Sequence, residues 1–271
     1  MLSWKKQGES AKGLMRIRHG IELGSLSDVG CHRENNEDRC SYWEPADEGQ
    51  FQTKGRLAII ADGMGGYEGG QEASRLAVET VEAVYADTPD SEPQALLVSA
   101  FQAAHERIQE HARERSALHG MGTTCTAIAL LGHHLYYAHV GDSRLYLVRN
   151  GSISQLTHDH SYVSRLVEHG VISSEEAESH PQRHILTAAL GAGTEITPDT
   201  PEQPVSLDAG DVLVLCTDGL WGVVNDDEIR GVVSTKNPHD ACRELVETAR
   251  QRGGPDNITM QILRVGTDGS R

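Results

Sequence analysis

Apolar runs rich in β-branched residues recur along the chain and predict β-strands. They lie at 20–28, 38–44, 56–62, 124–131, 134–140, 144–150, 212–217 and 257–264. The stretch HHLYYAHVGDSRLYLVRNGSISQLT (133–157) has the pattern of a β-meander, with Gly141-Asp142 and Asn150-Gly151 as turn signals.

Apolar residues spaced three and four apart predict helices at 70–86, 93–115 and 238–251. The second helix has Ser91 in the N-cap position and Gln94 three residues later, which is a capping-box pattern. Residues 161–184 differ from the rest, because they are polar and charged with only one short amphipathic helix expected at 162–169.

The strands and helices do not alternate regularly, which predicts an α+β fold with antiparallel sheets covered by helices. We expect one domain over 19–266, a polar extension at 1–18 and a short tail at 267–271, because no Pro- or Ser-rich linker divides the 271 residues. The N-terminal segment lacks the apolar stretch of a signal peptide, and no run approaches the roughly 18 apolar residues of a membrane span. A soluble, cytoplasmic protein is expected.

Charge and cysteine content exclude several functions. The net charge of −16 argues against non-specific nucleic-acid binding, which needs a basic surface. The five cysteines are an odd number and form no CxxC pair, so neither a disulfide framework nor a zinc site is expected.

Aspartates in four places stand in settings that suit a metal ligand: Asp38, Asp62, Asp218 and Asp256. Asp62 and Asp218 end the apolar runs LAIIADG and VLVLCTDG, and Asp256 follows a Gly-Gly-Pro turn before NITMQIL. A buried strand that ends in Asp-Gly presents a carboxylate at its tip, where glycine lets the backbone turn. Several such tips together would form an oxygen-rich site for Mg²⁺ or Mn²⁺. Asp-Gly is also a common turn dipeptide, so any one of these aspartates taken alone is explained as well by a plain turn.

A set of longer motifs includes these aspartates. In chain order they are SDVGCHRENNEDR (27–39), LAIIADGMGG (57–66), GGQEAS (69–74), MGTTCTAIAL (121–130), HVGDSRLYLVRNGSISQLTHDHS (139–161), ILTAALG (185–191), DVLVLCTDGLWGVV (211–224) and GGPDNITMQIL (253–263). Together the motifs resemble those of the metal-dependent type 2C Ser/Thr protein phosphatases, bacterial branch. The resemblance implies an α-β-β-α sandwich of two antiparallel sheets flanked by helix pairs, and a mobile flap at 161–184.

The resemblance also implies a site and a reaction. Asp62 would bridge two Mn²⁺ or Mg²⁺ ions, and a water between them would attack phosphoserine or phosphothreonine directly. The remaining ligands implied are the Gly63 carbonyl, Asp218 and Asp256 for the first ion, Asp38 and Glu37 for the second, and Asp142 with Asp218 for a third, weaker ion.

Arg33 is implied as the residue that binds the substrate phosphate, for which a bidentate guanidinium is well suited. From the residues alone, a surface arginine paired with Glu34 or Glu37 explains it better. Many eukaryotic members carry a proposed general acid, a histidine, where this chain has Met64, and Met cannot donate a proton. His139 is a candidate replacement, and His160 is expected to have a structural role at the base of the flap.

The resulting hypothesis is a monomeric bacterial enzyme that acts on phosphorylated proteins and opposes a eukaryotic-like Ser/Thr kinase. One alternative is a dinuclear hydrolase of the same fold that acts on another phosphoester. Another is a non-catalytic member that binds phosphoproteins. The complete ligand set argues against the latter, because such members usually lack one or more of these aspartates.

Overall fold

The computed structural model describes residues 17–65, 68–89 and 92–266. The strands are β1 Ile21–Asp28, β2 Asp38–Trp43, β3 Arg56–Met64, β4 Gly122–Thr123, β5 Cys125–Leu131, β6 His134–Val140, β7 Arg144–Arg149, β8 Ser152–Gln155, β9 Val205–Ser206, β10 Val212–Cys216 and β11 Ile258–Val265. The helices are α1 Glu48–Lys54, α2 Gly69–Asp87, α3 Pro93–Glu114, α4 Tyr162–Glu168, α5 Ser174–Glu178, α6 Asp218–Trp221, α7 Asp226–Thr235 and α8 Pro238–Gln251, with a 3₁₀ turn at Ser116–Leu118.

The strands form two antiparallel sheets. The first sheet has the order β1-β11-β10-β7-β8, and the second has the order β2-β3-β5-β6-β9, with β4 beside the end of β3. The central strand β3 is buried along almost its whole length, which explains why it is an uninterrupted apolar run and does not alternate.

Three apolar layers hold the sandwich together. One lies between the sheets and includes Ile60, Ile128, Leu215 and Leu263. A second joins the β3–β5–β6 face to α2 and α3, and the third joins the β10–β11 face to α7 and α8. This arrangement confirms the α-β-β-α sandwich with helix pairs outside.

The predicted meander at 133–157 is wrong in one respect. Strands β7 and β8 do form a hairpin across Asn150-Gly151, and Asn150 adopts the left-handed conformation with φ of 51°. Strand β6 pairs with β5 and β9 in the other sheet, so Gly141-Asp142 is a crossing between sheets and not a hairpin turn. Local turn signals cannot distinguish the two, because both need a sharp change of direction at glycine.

Several short elements were not predicted, among them α1, α7 and the two-residue strands β4 and β9. The predicted cap Ser91 lies outside the described residues, and the observed N-cap of α3 is Glu92, whose side chain accepts from the Ala95 amide. No helix within the described ranges is long and apolar enough to cross a membrane. The cytoplasmic location and the domain limits 19–266 stay predictions.

Candidate metal centre

The predicted ligands meet at one end of the sandwich because antiparallel registers align strand tips from both sheets. Asp38 begins β2 and lies opposite Asp62 near the end of β3. In the other sheet, Cys216 at the end of β10 pairs with Met260 near the start of β11. Asp218 lies just after the end of β10, and Asp256 lies just before the start of β11. Carboxylates that are distant in the sequence therefore lie at one edge of the sandwich.

Asp38 and Asp62 form the inner pair of this edge. Asp38 is 1% exposed, and burial, ahead of repulsion from other carboxylates, raises the pKa of its carboxyl to about 7. Burial and then the charges of Asp38, Asp218 and Asp142 raise the pKa of Asp62 well above its ordinary value. The site therefore concentrates negative charge that is unfavourable without a cation.

A hydrogen bond ties the two sheets together at this point. The Thr217 hydroxyl, at the end of β10, donates to Asp38 Oδ2 at 2.9 Å and accepts from the Thr259 amide at 3.1 Å. The other oxygen, Asp38 Oδ1, is buried and has no hydrogen-bond partner among the described residues, and the same holds for Asp218 Oδ1. Buried carboxylate oxygens without partners are what a hard divalent cation requires.

Glu37 and Gly63 are held together by close backbone packing. The Gly63 amide donates to the Glu37 carbonyl at 3.2 Å, and the Glu37 amide donates to Asn257 Oδ1 at 2.8 Å. A Cβ atom at Gly70 would lie 1.9 Å from Glu37 Oε2, so glycine at that position leaves the space that the Glu37 carboxylate occupies. The glycines of this segment thus serve close packing around an acidic side chain. Gly66 lies outside the described residues.

Asp142 lies in the crossing between β6 and β7 and is 6% exposed. Its pKa is raised well above the ordinary value by burial and by Asp218 and Asp159, against the opposing charge of Arg144. Its carbonyl accepts from Trp221 Nε1 at 3.0 Å, and the Arg144 guanidinium stacks 3.7 Å from the centroid of the same indole ring. The backbone of Asp142 is therefore fixed independently of its carboxylate.

Two histidines hold the preceding Gly141. His139 is fully buried, and its Nε2 lies 2.9 Å from the carbonyl oxygens of Gly141 and His158, so it must be a donor. The Gly141 amide in turn donates to His160 Nδ1 at 3.2 Å. Burial lowers the pKa of His139 to about 4. His139 is thus enclosed, which argues against its candidacy as proton donor, and the bond of His160 to Gly141 fits the structural role expected for it.

Arg33 forms an ion pair with Asp256, to whose Oδ2 it donates at 2.7 Å. Burial opposes charging of the guanidinium, yet the hydrogen bond and charge of Asp256 outweigh it and raise the pKa of Arg33. Its side chain is 51% exposed, so it faces solvent at the mouth of the site. This position suits a residue that meets an incoming phosphate.

Residues that the sequence did not single out complete the site. Asn257 Nδ2 donates to the carbonyls of Val29 and Asn35 and so holds the loop that carries Arg33. His184, from the predicted flap, has Nδ1 3.8 Å from Asp218 Oδ2. No sequence signal marked Thr217 or His184, because their roles depend on contacts between distant segments.

The oxygen donors fit divalent cations, although no three His, Cys, Asp or Glu side chains within the described ranges converge tightly enough to form a ligand cluster. The helix-flanked double sheet and the carboxylates at its end define the class of metal-dependent protein phosphatases that the motifs resemble. A family model described as protein phosphatase 2C matches residues 32–261, and the chain belongs to that family.

Known relatives agree with this assignment. The chain is 36% identical over 253 residues to the protein phosphatase PhpP of Streptococcus pneumoniae, covering 92% of this chain and 99% of PhpP. It is 36% identical to the serine/threonine protein phosphatase PstP of Mycobacterium tuberculosis, of which it spans 46%. A crystal structure of that phosphatase superposes with a TM-score of 0.81 at 36% identity, covering 91% of this chain and 99% of the other. A further structure, the PstP catalytic domain in complex with two manganese ions, gives a TM-score of 0.78 at 34% identity, covering 91% and 99%.

Proposed function

We propose that this protein hydrolyses phosphoserine and phosphothreonine in proteins with two Mn²⁺ or Mg²⁺ ions in its core and a third, weaker ion. The observation that supports this most strongly is the pairing of Asp38 with Asp62 across β2 and β3, with the unpartnered oxygens Asp38 Oδ1 and Asp218 Oδ1 beside it. Bound divalent ions supply charge neutralisation and a water that loses its proton near neutral pH.

Different residues of the chain would hold the three ions. Asp62 would be shared by the two core ions, with Asp218, Asp256 and the Gly63 carbonyl on one side. Asp38 and Glu37 would serve the second ion, and Asp142 with Asp218 the third. The Thr217 hydroxyl orients Asp38, and Asn257 positions Glu37.

Arg33 would bind the substrate phosphate and stabilise its developing charge. The guanidinium is half exposed and already lies beside the carboxylates, so it would exchange Asp256 for phosphate with little movement. Met64 has no proton to donate, and His139 is enclosed, so we assign neither of them as the general acid.

We also propose the proteins with which this chain interacts. Phosphorylated proteins would be the substrates, with a eukaryotic-like Ser/Thr kinase acting in opposition, and the segment 161–184 would contact them at the rim. A monomer is proposed because, among the described residues, the exposed large hydrophobic side chains are confined to Tyr162, Val171 and Ile185.

The test is hydrolysis of p-nitrophenyl phosphate and of phosphothreonine and phosphotyrosine peptides, with Mn²⁺ and with chelator. We expect turnover of the phosphothreonine peptide only with metal, and loss of at least about a hundredfold in Asp62→Asn, Asp218→Asn and Asp256→Asn. Asp208→Asn is the matched control, since that side chain is 79% exposed and its ion pair with Arg149 is long, at 3.8 Å. Metal-independent turnover, or loss below tenfold in the three variants, would contradict the proposal.

A further inference from the structure

A cavity of about 200 Å³ opens between the end of β3 and the segment that follows the predicted flap. Its apolar lining consists of Met64, Leu186, Ala188, Ala189, Ala192 and Ile196. Met64 is two residues beyond Asp62 in β3, so one wall of the cavity continues the strand that carries the central carboxylate.

The segment that forms the opposite wall is anchored to the same centre at two points. His184 Nδ1 lies 3.8 Å from Asp218 Oδ2. Leu190 exchanges backbone hydrogen bonds of 3.1 and 2.9 Å with Thr123, whose hydroxyl donates to the Asp62 carbonyl. The Leu190–Thr123 pairing therefore ties the cavity wall to the strand that carries Asp62.

Two large hydrophobic side chains close to the cavity wall along the backbone are exposed. Ile185, next to the lining residue Leu186, is 47% exposed, and Tyr162, whose amide donates to the Ile185 carbonyl at 2.8 Å, is 39% exposed. These two exposed hydrophobic side chains therefore belong to backbone segments that lie next to the cavity wall, where a bound peptide would meet them.

We propose that this cavity is a specificity subsite that takes an aliphatic side chain of the phosphoprotein, one or two positions from the phosphorylated residue. The inference rests on the proposed phosphatase function. Neighbouring residues in an extended peptide are about 3.3 Å apart along the chain, so a side chain within two positions of the phosphate reaches a cavity that adjoins the metal ligands.

The lining selects the chemistry of the occupant. The apolar side chains favour an aliphatic group such as leucine or valine, which loses water on entry. Glu195 is the charged member of the lining and is exposed, so it would repel an acidic flanking residue.

The experiment compares phosphothreonine peptides that carry leucine or aspartate at each of the positions −2, −1, +1 and +2. With the Mn²⁺-loaded enzyme, we expect leucine to raise kcat/KM about tenfold over aspartate at one position at least. Ala192→Leu should fill the cavity and reduce that ratio to about twofold or less, while p-nitrophenyl phosphate turnover stays within about twofold. Ala192 is exposed, so a larger side chain at this position does not disturb core packing.

Ala46→Leu is the control, because Ala46 is exposed beside α1 and does not line the cavity. This variant should keep the full preference for leucine. A wild-type enzyme without the preference, or an Ala192→Leu variant that keeps it, would overturn the subsite. Failure of the proposed function is separate, since it would appear as absence of metal-dependent turnover of every substrate, p-nitrophenyl phosphate included.

Discussion

At the scale of single residues, the position of a carboxylate depends on neighbours that carry no charge. Asp38 is held by the Thr217 hydroxyl, which also accepts from the Thr259 amide. Metal affinity commonly depends on such supporting hydrogen bonds as well as on the ligands themselves.

Thr217→Val tests this support, because valine keeps the shape and removes the hydroxyl. We expect Mn²⁺ affinity, measured by calorimetry, to fall by roughly 10- to 100-fold. The free energy of unfolding should fall by about 1–3 kcal/mol, since the Thr259 amide loses its side-chain partner in a buried place. Thr217→Ser keeps the hydroxyl and should retain near wild-type affinity. If Thr217→Val and Thr217→Ser lost Mn²⁺ affinity equally, the hydroxyl would not be what supports metal binding.

Arg33 leads to a second prediction at this scale. Arg33→Ala should raise KM or lower kcat for phosphopeptides by tenfold or more, because the phosphate loses a charged partner. Its Mn²⁺ affinity should stay within about threefold of wild type, since the Arg33–Asp256 pair is largely exposed and therefore weak. Arg33→Lys should have a phosphopeptide kcat/KM between those of wild type and Arg33→Ala. Calorimetry that showed loss of the tight metal sites in Arg33→Ala would assign Arg33 a structural role.

At the scale of elements, the sequence predicted regular segments well and connections poorly. Long periodic helices such as α2 and α8 and buried runs such as β3 were found within a few residues of their observed limits, because periodicity is a local property. The Gly141-Asp142 crossing was mistaken for a hairpin, since sheet membership depends on partners far away in the chain. The meeting of the aspartates proposed as ligands at one edge was predictable because each stands beside a strand tip. The Arg33–Asp256 contact was not, because it joins segments 223 residues apart.

The same crossing predicts a separable role for Asp142. Its backbone is held by Trp221 and its neighbour Gly141 by His160, so Asp142→Ala removes a carboxylate without releasing the turn. We expect this variant to keep two bound Mn²⁺ ions and to lose most turnover. Metal counting by calorimetry alongside p-nitrophenyl phosphate kinetics checks both parts. If Asp142→Ala kept three Mn²⁺ ions, or lost the two core ions, Asp142 would not be a ligand specific to a third ion.

At the scale of the whole molecule, carboxylates gathered at one end of the sandwich make stability depend on pH and metal together. Because burial raises the pKa of Asp38 to about 7, the folded protein retains a proton that the unfolded chain releases near pH 4. Stability in chelator should therefore fall as pH rises from about 4 to about 7.

Thermal unfolding across this range measures the effect. Asp38→Asn should show a shallower decline than wild type, because the group that releases the proton is gone. Added Mn²⁺ should stabilise the wild-type protein more at pH 7.5 than at pH 5, because protons compete with the metal for the carboxylates. The electrostatic account would be contradicted if, in chelator, the stability of the wild-type protein rose with pH, and rose by more than the stability of Asp38→Asn.

The most direct test of the central claim is an anomalous-scattering crystal structure of the protein grown with Mn²⁺. The account predicts two manganese peaks about 3.5–4 Å apart, both in contact with the Asp62 carboxylate. Asp38 should lie on one side, and Asp218 and Asp256 on the other. Manganese bound elsewhere, or a core in which Asp62 contacts no metal, would contradict the assignment of this end of the sandwich as the catalytic centre.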